Sequence, residues 1–296
     1  MGNPHLKEMP WRRFREFISP QVNRFAVLKE LIEEAGLEHK VLEIAGNRHF
    51  IVVPPPPDDN LPRRAPDVLV AHYDRTRGSP GANDNSAGVF LLLEAAVKLK
   101  NSSAKNWVII FTDKEELESG EGITAQGAYT LALGLKKSKM GNSRIFCFDA
   151  CGVGDTLVIS TTADYLLKKE NRGEKLQRSV MELQKLALET ARKLGLEKVL
   201  LAPTPFSDDA GFLRAGLAAQ TITMLPSAEC IPLVAALRKN PDIAGALINE
   251  EMRQKNRAKS IPETWNSLNS PRDSSIRLTP EHFRTVLIFA EALCKG

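Results

Sequence analysis

One histidine and several acidic residues directly follow apolar runs of the sequence. These residues are His72, Asp74, Glu115, Glu116 and Asp149, which follow the runs 67–71, 107–112 and 144–148. A further acid, Asp84, lies in the loop after His72 and precedes a helical pattern. Carboxylates that meet at one place repel each other unless a cation neutralises them. A mixed set of imidazole and carboxylate ligands suits zinc, as one ion or as two ions about 3.5–4 Å apart.

Each of these residues also has an ordinary structural interpretation. A lone histidine is often a core or surface residue, and Asp84 before a helix can be an N-cap or first-turn acid. Glu115 and Glu116 can form a solvated acidic pair, and Asp149 can be a turn residue. Their shared position after predicted strands favours the metal site, because a solvated acidic face has no reason to collect at one sheet edge.

The apolar runs alternate with helical patterns along the chain. Predicted strands cover 67–71, 107–112, 144–148, 155–160, 198–202 and 219–225, and predicted helices cover 86–100, 127–135, 176–194, 210–214 and 280–294. Short, fully apolar runs are typical of strands buried on both faces. Their alternation with helices predicts an α/β fold, a three-layer αβα sandwich around a central, mostly parallel mixed sheet. Ligands of such sheets bind beyond the carboxyl ends of the strands, where the acidic residues fall.

The first 66 residues precede this alternation. Apolar residues at helical spacing predict a helix over 21–36, and two short runs, 41–44 and 49–53, predict a hairpin that leads into the core sheet. The sequence has no internal repeat and no convincing domain boundary. We therefore predict a single domain over residues 1–296.

Composition limits the classes of protein to consider. The chain has 296 residues, 43% hydrophobic and 26% charged, which excludes wholesale disorder. No apolar run approaches the roughly 18–20 residues of a membrane span, and residues 1–18 lack the apolar segment of a secretory signal. The net charge of +4 does not call for a nucleic-acid partner, and the densest basic stretch, 253–259, is interpreted as a solvated loop. With four cysteines, too few for a disulfide scaffold, the chain is predicted to be cytoplasmic with reduced thiols.

Taken in order, the motifs resemble those of the M28 family of zinc aminopeptidases, within the zinc-dependent exopeptidase superfamily. The matching blocks are AHYD (71–74), GANDNSAG (81–88), FTDKEE (111–116), FD (148–149), SDDAGFLRAG (207–216) and LNSPRD (268–273). The resemblance implies a phosphorylase/hydrolase-like exopeptidase fold. It also implies a peptide or small amide as substrate, and an oligomeric state that the sequence does not fix.

The resemblance further implies a role for each site residue. The implied metal ligands are His72, Asp84, Glu116 and Asp149, with Asp84 bridging two zinc ions and Glu116 on the second. Asp74 would fix the orientation of the His72 ring. Glu115 would be the general base that takes a proton from the attacking water and passes it to the leaving amine. Spare acids that could cradle a free α-amine are Asp113, Asp208, Asp209 and Asp273.

One position departs from the family pattern. Asn269 stands where the family has the last metal-ligand histidine, and a neutral amide oxygen binds zinc much more poorly than imidazole. We therefore expect one firmly bound zinc and a second that is weak or absent. Among the five histidines, His282 is the least implausible replacement.

Three functions follow from this departure. The first is an active metallopeptidase with one complete metal site. The second is single-zinc acyl transfer, as in the glutaminyl cyclases, although the resemblance implies that those enzymes use the site that keeps the terminal histidine. The third is a non-catalytic binding module, against which the retained Glu115 argues. The expected activity is therefore that of a zinc aminopeptidase.

Overall fold

A computed structural model describes residues 11–55, 64–138, 140–169, 173–248 and 261–295. Eight strands form one mixed sheet: β1 His39–Ile44, β2 Asn47–Val52, β3 Asp67–His72, β4 Trp107–Thr112, β5 Arg144–Phe148, β6 Thr156–Ser160, β7 Val199–Ala202 and β8 Ala219–Leu225. The predicted basic loop 253–259 and the first ten residues lie outside this description. The predicted α/β class is confirmed, and every predicted strand has a counterpart.

The centre of the sheet is parallel and its flanks are mixed. The strand order is β1-β2-β4-β3-β5-β8-β6-β7. Strand β3 pairs in parallel with both β4 and β5, and β5 pairs in parallel with β8. The hairpin strands β1 and β2 add an antiparallel edge next to β4. Because β3, β4 and β5 run in the same direction side by side, the residues that follow them meet at one edge of the sheet.

Helices cover both faces of the sheet. They are α1 Phe14–Phe17, α2 Arg24–Glu34, α3 Gly88–Lys100, α4 Gly127–Lys137, α5 Thr162–Lys169, α6 Glu174–Lys193, α7 Asp209–Arg214, α8 Ser227–Lys239, α9 Ile243–Ile248, α10 Glu263–Asn266 and α11 Phe283–Leu293. Helices α2, α3, α6 and α11 pack with Leu69 and Phe146 on one face. Helices α4 and α7 pack with Val68 and Val70 on the other, which confirms the three layers. Alternate residues of β3 thus serve opposite cores, as expected of a strand buried on both faces.

Helix α8 has no counterpart among the predicted elements. Pro232 lies inside it, and an interior proline removes a backbone hydrogen bond and normally argues against a helix. Cys230 and Leu233 anchor α8 in a third core cluster beside Trp265. Packing therefore outweighs the local preference that sequence patterns report.

The four cysteines lie buried as free thiols. Cys147 and Cys151 are core residues. Over the part of the chain described, no helix combines the length and apolar character that a membrane span requires.

Asp155, which precedes β6, offers a test of stability remote from the candidate site. Its carboxylate pairs with Lys198 and accepts hydrogen bonds from the backbone N–H and the hydroxyl of Ser227 at 2.7 and 2.8 Å. Although burial alone would raise the pKa of Asp155, these partners lower it below its ordinary value. We expect Asp155→Asn to reduce the free energy of unfolding by about 2 kcal/mol at pH 7.

The pH dependence of this difference has a defined sign. A carboxyl whose pKa is lowered by folding stabilises the native state above its unfolded pKa of about 3.9, and that stabilisation is lost as pH falls through the native pKa. Urea unfolding at pH 7 and pH 3 should therefore show a gap between wild type and variant that narrows in acid. Glu197, an exposed residue that directly precedes Lys198, provides the control. We expect Glu197→Gln to change the free energy of unfolding little. A gap that widens in acid would contradict this assignment.

Candidate metal centre

His72 lies at the centre of the cluster of predicted site residues. It ends β3 and its side chain is fully buried. Its Nε2 atom lies 3.1 Å from Asp84 Oδ1, 3.6 Å from Asp149 Oδ1 and 4.0 Å from Glu115 Oε2. The structure thus brings the predicted residues of three strand ends to one imidazole.

The same atoms form two groups with the spacing of metal ligands. One consists of His72, Asp84 and Asp149, and the other of His72, Glu115 and Glu116, with the ligand atoms of each within 4.8 Å of one another. Over the described residues no other such group occurs, and His282 belongs to neither.

Asp74 connects the loop after β4 to the ring of His72. Its carboxylate accepts hydrogen bonds from the backbone N–H groups of Glu115 and Glu116 at 3.1 and 3.0 Å. The same carboxylate lies 3.4 Å from His72 Nδ1. Burial alone would raise the pKa of Asp74, but His72 and the two N–H groups outweigh it and hold the pKa below its ordinary value. Asp74 therefore stays ionised and ties the loop after β4 to the imidazole.

Asp273 holds the loop that carries Asp84. The two carboxylate oxygens of Asp273 accept hydrogen bonds from the backbone N–H groups of Asn83 and Asp84 at 2.8 and 3.0 Å. Burial raises the pKa of Asp273 to about 7, with the nearby charge of Asp84 adding to the rise. A side chain that the sequence offered only as a spare acid thus positions a candidate ligand.

Gly88, the last residue of the GANDNSAG block, is required for steric reasons. Asn85 donates from Nδ2 to the carbonyl oxygen of Phe148 at 2.8 Å, which joins this loop to the end of β5. A Cβ atom on Gly88 would come within 2.2 Å of Asn85 Oδ1 and 2.8 Å of the same carbonyl oxygen. The contact between the loop and β5 therefore requires glycine at position 88.

Arg24, the first residue of α2, stabilises the loop between β3 and α3. Its guanidinium donates to the carbonyl oxygens of Tyr73 and Asp74 at 3.1 and 3.0 Å, and to the Ser86 hydroxyl at 2.8 Å. Nothing in the sequence pattern marks this residue, because its partners lie about 50 to 60 positions away.

Glu115 lies half-buried beside the imidazole and is held by a second side chain. Gln126, which is buried, donates from Nε2 to Glu115 Oε1 at 3.0 Å. Burial raises the pKa of Glu115 well above its ordinary value, and the negative charges of Glu116 and Asp149 add to the rise despite the opposing effect of His72. A carboxyl in this setting takes up a proton at a higher pH than an exposed glutamate does.

Glu116 and Asn269 meet across a hydroxyl group. The Thr76 Oγ1 atom lies 2.9 Å from Glu116 Oε2 and 2.9 Å from Asn269 Oδ1. Asn269 adopts a left-handed backbone conformation, φ 57°, which asparagine tolerates better than most residues. The structure thus brings these two predicted ligands together, with Thr76 between them.

Three of the other acids, named above as spare, accept hydrogen bonds from groups of the protein. Asp208 accepts from the Thr112 hydroxyl at 2.6 Å, Asp209 accepts from the Ser207 backbone N–H at 3.1 Å, and Asp113 accepts from a backbone N–H of β2 at 3.1 Å. Burial raises the pKa values of both Asp208 and Asp209 to about 7.

The donor set of the first group fits a zinc ion. His72 Nε2 and Asp149 Oδ1 are buried atoms without a hydrogen-bond partner of good geometry, although both are strongly polar. Burial alone would lower the pKa of His72, yet the surrounding carboxylates of Asp149, Asp74 and Asp84 raise it well above its ordinary value. The cluster therefore demands positive charge, either as a proton on the ring or as a cation in its place.

Comparisons with known proteins agree with this fold. A zinc aminopeptidase from Bacillus subtilis superimposes with TM-score 0.55 and 20% identity over 83% of this chain and 49% of that chain, so the present chain spans about half its length. A Zn-dependent exopeptidase from Parabacteroides distasonis superimposes with TM-score 0.62 and 13% identity, over 96% of this chain and 95% of that chain. Porphyromonas gingivalis glutaminyl cyclase superimposes with TM-score 0.62 and 16% identity, over 96% of this chain and 94% of that chain.

At these identities the superpositions show a shared fold and no more. A search among curated proteins found no significant match. The sequence model of peptidase family M28 matches residues 57–263, which include five of the six motif blocks. The chain therefore belongs to peptidase family M28.

Proposed function

We propose that this protein is a zinc-dependent hydrolase that removes N-terminal residues from peptides. The observation that carries the proposal is the meeting of His72, Asp84 and Asp149 around one buried point, with the Glu115 carboxylate 4.0 Å from the same imidazole nitrogen. Three ligands and an adjacent carboxyl base form the minimal set for metal-assisted hydrolysis of an amide bond.

His72, Asp84 and Asp149 would hold the ion. A zinc ion bound by one nitrogen and two carboxylates acidifies water and polarises a carbonyl group. Asp74 orients the ring of His72. It faces Nδ1 of that ring and so leaves Nε2 to face Asp84 and Asp149. Asp273 fixes the backbone on which Asp84 lies. The ligand geometry is thus set by hydrogen bonds outside the ligand set itself.

Glu115 is proposed as the general base. Its Oε2 atom faces His72 while Gln126 holds Oε1, so that one oxygen remains available to take a proton from an attacking water. The same carboxyl then returns the proton to the departing amine. Burial raises its pKa above the ordinary value, which makes the ionised carboxylate a stronger base towards water.

The second metal position lacks the histidine ligand that the family resemblance implies, so we propose that an ion there is weakly bound or absent. Asn269 replaces imidazole nitrogen by a neutral amide, and Thr76 hydrogen-bonds to both Glu116 and Asn269. A neutral amide oxygen is a much poorer zinc ligand than an imidazole nitrogen. We therefore propose one zinc per chain.

The direct test of the function is a pair of substrates that differ only at the N-terminus. An aminopeptidase hydrolyses an aminoacyl-p-nitroanilide with a free α-amine and leaves its N-acetylated counterpart intact. Glutaminyl cyclases are among the structures of similar length, so a peptide with N-terminal glutamine is the third substrate. Loss of ammonia with ring closure would favour cyclisation over hydrolysis, and cleavage of the acetylated compound would contradict the exopeptidase assignment.

Asn269→His tests the metal count. After dialysis against zinc, elemental analysis should give about one ion per wild-type chain and a higher value, approaching two, for the variant. The physical reason is that imidazole restores a strong nitrogen ligand next to Glu116. Asn266→His is the matched control, because Asn266 hydrogen-bonds to the Ile261 carbonyl and not to Thr76; its zinc content should stay at one. Two ions in the wild type would contradict the proposal.

A further inference from the structure

A very small cavity opens beside Asp149. Its volume is about 10 Å³. Its lining residues come from the end of β5, from within β8, from the loop after β7 and from the segment around α10; they are Asp149, Ala150, Thr204, Pro205, Phe206, Thr221, Thr223, Trp265 and Leu268. A cavity of this size admits about one water-sized group. A group that enters it lies next to a proposed zinc ligand.

The deep walls of this cavity have little freedom to move. Thr204, Thr221, Thr223 and Trp265 are each at most 3% exposed. Trp265 packs in the core cluster beneath α8, and Thr223 donates its hydroxyl to the carbonyl oxygen of Ala150 at 3.1 Å. Enlargement would therefore disturb packed residues, so the size of the cavity is a property of the fold.

A larger apolar cavity of about 230 Å³ shares one lining side chain with the small cavity. It is lined by Ile123, Leu166, Leu167, Phe206, Ala210, Leu213 and Arg214. Over the described residues, Phe206 is the one residue that lines both cavities. Unlike Trp265, Phe206 is only partly buried and belongs to none of the core clusters. Phe206 therefore forms the partition between a site that fits a methyl group and a space that fits a large side chain.

We infer that the small cavity receives the side chain of the substrate residue whose carbonyl group is attacked, and that Phe206 restricts this residue to glycine or alanine. The inference rests on the proposed hydrolysis of N-terminal residues. The side chain leaves the chain one bond from that carbonyl carbon, so it must lie near Asp149 when the carbonyl faces the cluster. A branched or aromatic side chain exceeds the available volume unless Phe206 moves.

The specificity of the wild type is the first measurement. Hydrolysis of glycyl-, alanyl-, valyl-, leucyl- and phenylalanyl-p-nitroanilide should give kcat/KM for alanine at least about tenfold above that for leucine, since single methylene differences in a pocket change kcat/KM by roughly 10–200-fold. Higher kcat/KM for leucine or phenylalanine than for alanine would overturn the inference.

Phe206→Ala is the decisive variant. Joining the two cavities should raise the leucine-to-alanine ratio of kcat/KM by about tenfold or more. Leu166→Ala, which shortens a side chain that lines the larger cavity but not the small one, is the matched control and should leave the ratio unchanged. Equal ratios in the Phe206 variant and the wild type, with unchanged circular dichroism, would overturn the role of Phe206.

Binding separates this inference from the proposed function. If no substrate is hydrolysed, the hydrolase assignment fails, and the pocket is tested with the zinc-loaded protein and two free ligands, alanine hydroxamate and leucine hydroxamate. Tighter binding of the alanine compound, reversed by Phe206→Ala, would support the size limit. Tighter binding of the leucine compound to the wild type would overturn it.

Discussion

Glu115→Gln should lower kcat for an aminoacyl-p-nitroanilide by about 10²–10⁴-fold, the usual contribution of a positioned general base. The substitution keeps the shape of the side chain and removes its ability to accept a proton. Because Glu115 is not among the three proposed ligands of the first group, we expect the zinc content of the variant to match that of the wild type. Steady-state kinetics and elemental analysis on the same preparation would separate loss of chemistry from loss of metal.

The matched control is Glu118→Gln in the same loop. Glu118 is exposed and lies three residues beyond Glu115, so its replacement should change kcat by less than about twofold. If Glu115→Gln retains wild-type kcat, the general base is another group. If it loses zinc together with activity, Glu115 is a ligand, as the second group of candidate ligands would allow.

His72→Gln should abolish the stabilisation of the fold by zinc. An ion that binds only the native state adds about 2.7 kcal/mol to the free energy of unfolding at a concentration of 100 times Kd. The variant removes the one nitrogen donor of the first group and leaves Asp84 and Asp149 to repel each other. Thermal unfolding with and without zinc, followed by elemental analysis after dialysis, would measure both effects.

His282 provides the control for this experiment. It lies just before α11, and it belongs to neither group of candidate ligands. His282→Gln should therefore keep both the zinc content and the zinc-dependent rise in Tm. Loss of zinc in this variant, with retention in His72→Gln, would reverse the assignment of the nitrogen ligand.

The sheet and the position of the site follow closely from sequence patterns. Runs such as 107–112 and 144–148 are apolar at every position but their ends, which limits them to strands covered on both faces, and both appear at those positions as β4 and β5. The site could be located because its residues come from strand ends. The convergence of the strand-end residues depends on adjacent parallel strands, which the alternation of strands and helices predicts. Asp84 is different, because it lies on a loop that Asp273 holds in place.

The residues that hold the site in place could not be predicted in this way. Thr76, Gln126 and Arg24 act through hydrogen bonds to groups 11 to 193 positions away, and such pairs leave no local spacing to read. Asp273 was recognised as an acid of unknown purpose, since only the folded loop reveals that its oxygens face two backbone N–H groups. Patterns thus report which residues reach the edge of the sheet, whereas tertiary packing decides what each of them contacts.

Diffraction from zinc-loaded crystals on both sides of the zinc absorption edge tests the central claim most directly. We predict a single anomalous peak on this edge of the sheet, bounded by His72 Nε2 and the carboxylates of Asp84 and Asp149. A peak confined to the space between Glu116 and Asn269, or the lack of any peak beside His72, would contradict the proposed centre.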